Sequence, residues 1–140
     1  MPYDQLLIEN QVCFPLYAAS RKIIKLYKPL LDEIGLTYTQ YIAMMVLWEK
    51  KHLTAKEMGD TLSLDSGTLT PMLKRLEKDG LITRKRSCDD ERSLEVALTK
   101  KGLMLRKKAA DIPKKLRTCV TLSDEKLYQL YKLLHEILHQ

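Results

Sequence analysis

Apolar positions recur at helical spacing along most of the chain and change to strict alternation near residue 95. The densest signal lies between Thr54 and Leu98. Thr54-Ala-Lys-Glu57 has the spacing of a capping box, and Ala55, Met58 and Leu62 continue at helical spacing behind it. Ser63-Leu-Asp-Ser66 supplies a break and a second N-cap. A second helix follows, with Leu69, Met72, Leu73 and Leu76 as its inner stripe and Thr68, Thr70, Lys74, Arg75 and Lys78 largely on the other side. Asp79-Gly80 ends it. Leu81 to Arg86 is short and basic, and Ser93 to Leu98 alternates apolar with polar, so the pair predicts a hairpin. Its tip, Ser87-Cys-Asp-Asp-Glu-Arg92, is too polar to bury.

Two helices joined by a few residues, the second presenting hydroxyls and cations outward, can place a recognition helix in a DNA major groove. The basic hairpin then reads as a wing whose arginine reaches the minor groove. The blander account is a small α+β unit with a solvated loop.

The flanks are helical. A first helix is predicted over about Tyr3 to Leu31, with Pro15 expected to kink it near Cys13 and Pro29 to weaken its end. Thr37-Tyr-Thr-Gln40 offers another capping box, opening a helix through about Lys50 whose Tyr41, Ala43, Met44, Leu47 and Trp48 should be largely buried. A long helix starts at Thr99 and is interrupted by Pro113. Ser123-Asp-Glu caps a final helix with an apolar stripe of Leu127, Leu130, Tyr131, Leu134, Ile137 and Leu138. That stripe calls for a partner, within the chain or on a second copy. The predicted fold is mainly α with a small β-hairpin wing: one domain over 1–140, with a winged helix-turn-helix core at about 37–98 and helices 1–36 and 99–140 forming a dimerisation region.

Composition narrows the partners. The chain has 140 residues, enough for one domain, and 24 Lys and Arg against 18 Asp and Glu give a formal charge of +6. Residues 74–108 hold 12 basic and 6 acidic side chains, beside the proposed reading surface. This location favours nucleic acid over a membrane surface. No signal-peptide pattern or spanning apolar stretch is visible, which predicts a cytoplasmic protein. Three cysteines there do not suggest a disulfide framework, and no Cys-x-x-Cys or Cys/His cluster suggests zinc. No cofactor is expected.

Leu64 to Arg84, then Asp89-Asp-Glu-Arg-Ser93 and Leu98-Thr-Lys-Lys-Gly102, together resemble the winged-helix core of the MarR family of bacterial transcription regulators. Leu7 to Tyr17, Tyr27-Lys-Pro-Leu-Leu31 and Leu36 to Tyr41 are similar to its organic-hydroperoxide-sensing branch. Taken alone, a cysteine on an apolar helix face is a small buried hydrophobe. The resemblance instead implies that Cys13 is the peroxide-reactive residue and that Tyr27 and Tyr38 of a partner subunit hydrogen-bond to it. It further implies a disulfide, either with Cys119 of the other subunit or with a low-molecular-weight thiol. Cys88, on the wing, reads as an incidental surface cysteine.

The chemistry suits these residue types. A thiolate attacking a peroxide becomes a sulfenic acid, and needs hydrogen-bond donors and an apolar wall, for which Phe14 and Tyr17 are candidates beside their ordinary role in packing. The expected function is that of a homodimeric repressor released from an inverted-repeat operator when Cys13 is oxidised, its two reading heads about 34 to 36 Å apart. Expected DNA contacts are Ser66, Thr68, Thr70, Lys74 and Arg75 on the recognition helix, and Arg84 and Arg86 on phosphate, with Asp90 orienting Arg92; each charged residue is otherwise a solvated surface group. Two alternatives remain: a regulator induced by a non-covalent phenolic ligand, and a thiol peroxidase with Cys13 as nucleophile and Cys119 as resolver.

Overall fold

The computed structural model describes residues 1–87 and 93–139. Among the described residues, seven helices and three strands follow one another as α1 (Cys13–Asp32), α2 (Tyr38–Lys50), β1 (His52–Thr54), α3 (Ala55–Leu62), α4 (Ser66–Lys78), β2 (Ile82–Arg86), β3 (Leu94–Leu98), α5 (Lys100–Ala109), α6 (Ile112–Thr118) and α7 (Asp124–Leu138). Two 3-10 turns, Asp4–Leu6 and Ile8–Asn10, precede α1.

The first helix therefore begins later than the periodicity predicted. Asn10 and Gln11 donate side-chain hydrogen bonds to the carbonyls of Asp4, Gln5 and Leu7, which folds the arm into turns instead of a helix. Pro15 is the third residue of α1, where its missing N–H would have had no intrahelical acceptor, so the expected kink does not arise. Pro29 does lie inside α1, which nevertheless runs on to Asp32.

Helix starts follow the predicted caps. In α2, Thr37 accepts from Gln40 N–H and Gln40 Oε1 accepts from Thr37 N–H, a complete capping box. Thr54 caps α3, Asp65 caps α4, Thr99 caps α5 and Ser123 caps α7, each accepting the N–H three residues on. At the end of α4, Gly80 takes φ +77 and the Leu81 N–H returns to the Leu76 carbonyl, which turns the chain sharply into β2.

The hairpin forms as expected, with Ile82 opposite Leu98 and Arg86 opposite Leu94. The sequence reading missed a third strand. β1 pairs antiparallel with β3, Leu53 opposite Val96, giving the sheet order β1-β3-β2. Its entry is a tight turn at Lys51, whose φ is +67.

The core lies between α2, α3, α4 and this sheet. Met44, Leu47, Met58, Leu73, Leu76 and Val96 are fully buried, and the inner stripe of α4 is the one predicted. Of the α2 residues expected inside, Tyr41, Ala43, Met44 and Leu47 are buried and Trp48 is partly so. Trp48 Nε1 donates to the Gly102 carbonyl at 2.9 Å and ties α2 to α5. A Cβ on Gly102 would collide with the Leu81 carbonyl oxygen, so only glycine permits this approach of α5 to the residue just before β2. The outer helices are different. Leu31 is the only buried residue of α1, and α7 buries none, leaving Tyr128, Leu130, Tyr131, Leu133, Ile137 and Leu138 exposed.

Candidate redox site and nucleic-acid interface

Cys13 is the first residue of α1, exposed, with a free thiol. It is among the backbone N–H groups that lack intrahelical acceptors. Phe14 and Tyr17 beside it are half-exposed, and Val12 and Pro15 line a groove whose opposite wall is Leu130, Leu133 and Ile137 of α7.

Tyr27 and Tyr38 form a cluster elsewhere. Their ring centroids are 4.9 Å apart, and Tyr41 lies 5.6 Å from Tyr27 and 6.4 Å from Tyr38. Burial, then the proximity of Tyr38 and Tyr41, pushes the Tyr27 phenol up to about 12; burial likewise raises Tyr38. Both stay protonated donors at neutral pH. Neither hydroxyl hydrogen-bonds to another described residue, so both can serve an incoming acceptor. Tyr27 is 14 residues beyond Cys13 on one helix, about 21 Å at 1.5 Å per residue. The structure therefore does not bring Cys13 to these phenols within one chain.

Cys119 is the C-cap of α6, exposed and free, its thiol donating to the Lys115 carbonyl at 3.5 Å. Next to it, Arg117 donates to the carbonyls of Val120 and Leu122 and to Asp124 Oδ1 at 2.7 Å, which fixes the turn into α7.

On the recognition helix α4, Ser66, Thr68, Thr70 and Lys74 are exposed on the face away from the core. Arg75 is exposed and holds a long contact of 3.4 Å to Asp79, one turn on, which leaves it accessible. Arg86 is exposed on β2. Arg84 has an intramolecular partner that its sequence position did not reveal. Its Nε and Nη2 donate to Glu77 Oε1 at 3.2 and 3.0 Å, and its backbone N–H donates to Glu77 Oε2 at 3.1 Å. The Arg84 hydrogen bond holds the Glu77 carboxyl below its ordinary range, and the side chain of Arg84 is only 20% exposed. Arg84 is thus anchored to α4 through Glu77. Glu77 was missed because its partner is seven residues away across a turn, a spacing that belongs to no local pattern. Cys88, Asp90 and Arg92 lie outside the described residues.

Comparison with known proteins agrees with this geometry. Residues 25–112 match the family described as Transcriptional regulator SarA/Rot. The chain is 54% identical to the organic hydroperoxide resistance transcriptional regulator of Bacillus subtilis (strain 168), over 99% of this chain and 96% of that one. AbfR of Staphylococcus epidermidis bound to DNA, in both its reduced and its overoxidized forms, superposes with a TM-score of 0.79 at 36% identity, covering 99% of this chain and 98% of the other. Its disulfide form superposes less well, with a TM-score of 0.64 at 35% identity over 97% and 93%. The chain belongs to the SarA/Rot family of MarR-like winged-helix transcriptional regulators.

Proposed function

We propose that this protein is a homodimeric repressor that leaves an inverted-repeat operator when an organic hydroperoxide oxidises Cys13. The observation that carries the reading is the separation on α1. An accessible cysteine stands at one end, and Tyr27 stands about 21 Å along it with Tyr38 of α2 against its ring, both phenols protonated. An antiparallel pairing of two such helices brings each Cys13 to the Tyr27 and Tyr38 of the partner. The uncovered apolar faces of α1 and α7 supply surface for that pairing.

In the dimer the phenols donate to the Cys13 thiolate. The sulfur attacks the terminal peroxide oxygen, the O–O bond breaks, and the alcohol leaves with a proton, giving a sulfenic acid. A thiolate, from Cys119 of the other subunit or from a small thiol, then attacks that sulfur and releases water. The disulfide, instead of a higher oxide, is the released state in this reading. Support comes from the relative AbfR, whose overoxidized form is bound to DNA, whereas its disulfide form is the more distant superposition. A Cys13 to Cys119 bond needs Cα atoms about 4.4 to 6.8 Å apart, so it draws the α6–α7 turn toward the partner's α1 and changes the spacing of the reading heads. The chain acts as a regulator in the cytoplasm, with no catalytic turnover of its own.

The test is operator binding by reduced wild type and Cys13→Ser, before and after one equivalent of an organic hydroperoxide, with intact mass of the same samples. Release of wild type alone is expected, and the mass separates a chain-to-chain disulfide from a small-thiol adduct. Equal insensitivity of both proteins would reject Cys13 as the switch and leave DNA binding standing.

A further inference from the structure

The last turns of α7 read His135-Glu-Ile-Leu-His139. This is the His-Glu-x-x-His spacing, which puts two imidazoles on one face of a helix. The rings do meet there. Nδ1 of His135 and Nε2 of His139 stand 3.2 Å apart, and the rings are stacked with centroids 5.4 Å apart at 21°. The Tyr131 ring, 4.2 Å from His135 by centroids, limits how far that imidazole can turn.

We propose that His135 and His139 form a chelate for a divalent transition-metal ion of the zinc class. Two nitrogens 3.2 Å apart, each bonded to zinc at about 2.0–2.1 Å, subtend about 103° at the ion, close to the tetrahedral angle. The ring that donates in this contact moves its proton to its other nitrogen, so that both facing nitrogens present lone pairs to the ion with little change in ring separation. Both neutral imidazoles supply nitrogen lone pairs, the donors that zinc, copper and nickel accept. His139 is also the C-cap of α7, where unpaired carbonyls favour positive charge.

Among the described residues, no group of three or more His, Cys, Asp and Glu side chains is placed to hold a metal ion. Water fills the remaining positions, and the hydrolytic chemistry of three-ligand His-Glu-x-x-His sites does not follow. The consequence is structural. Glu136 and Ile137, between the two ligands, line the groove whose other wall holds Val12 and Pro15, the residues around Cys13. A bound ion would stiffen the end of α7 at that groove.

The experiment uses the full chain with Cys13, Cys88 and Cys119 replaced by Ser, so that no thiolate competes for metal. Zinc is titrated by calorimetry, and thermal unfolding is followed with and without zinc. One ion per chain is expected, together with a rise in the unfolding midpoint. Both should vanish in His135→Ala and in His139→Ala, while circular dichroism keeps its helical signal. His139→Asn, which retains a polar residue at the cap, should also fail to bind. No uptake by the parent, or uptake that survives in either single alanine variant, would overturn the chelate.

Discussion

Glu77 of α4 and Arg84 of β2 are joined at three points, two through the guanidinium and one through the Arg84 backbone N–H. The recognition helix and the wing strand are therefore held as one body. This pair fixes β2 against α4, and operator affinity should depend on it.

Glu77→Gln and Arg84→Met should each weaken operator binding, and the double variant should be no worse than either alone. If the pair acts only by fixing β2 against α4, the slope of log affinity against log salt should stay that of wild type. A slope reduced by about one in Arg84→Met alone would restore Arg84 as a phosphate ligand. The pair also makes stability depend on pH. Arg84 lowers the Glu77 pKa in the folded state, so its contribution is present above the ordinary glutamate range and is lost as pH falls through the lowered value. Glu77→Gln should remove that component of acid denaturation.

Tyr27 predicts the opposite limb. Its folded pKa, about 12, exceeds the ordinary tyrosine value of about 10, so the folded state keeps a proton that the unfolded state loses. The associated stability is complete below about pH 10 and declines as pH rises through the folded value. Tyr27→Phe should flatten the alkaline limb of the unfolding curve. In the same variant, oxidation of Cys13 by an organic hydroperoxide should slow by about tenfold or more through loss of a donor. An unchanged oxidation rate in both Tyr27→Phe and Tyr38→Phe would remove the phenols from the redox site.

Gly102→Ala tests the junction between the DNA-binding core and the outer helices. The added carbon meets the Leu81 carbonyl, a backbone atom that cannot swing aside, so a loss of about 3 kcal/mol is expected by chemical denaturation. Trp48 donates to the Gly102 carbonyl and is the single tryptophan, so its emission should shift to the red as that bond lengthens. An unshifted spectrum with wild-type stability would show that α5 can retreat freely.

Leu130 is 43% exposed on an α7 that buries nothing. Leu130→Asp should shift the protein from dimer to monomer in sedimentation at micromolar concentration, and operator affinity should fall with it, because one reading head loses its partner. Wild-type affinity in a proven monomer would contradict the dimeric operator complex.

Local sequence by itself determined most of the elements. Thr37, Thr54, Asp65, Thr99 and Ser123 cap helices because a side-chain oxygen three residues from a free N–H is a local fact. The inner stripe of α4 and the β2–β3 hairpin followed from periodicity, and the resemblance in motif placed Cys13, Tyr27 and Tyr38 among the candidates. Tertiary structure decided the rest. Three residues, His52 to Thr54, are too few to show alternation and become a strand only by pairing with β3. The arm before Cys13 has helical spacing, yet its Asn10 and Gln11 side chains bond back to the backbone and set the helix start at Cys13. Arg84 reads as a surface cation until the turn after α4 brings Glu77 against it. In each case the deciding partner is distant in sequence or competes with the helix for the same backbone groups, and only the folded chain resolves that competition.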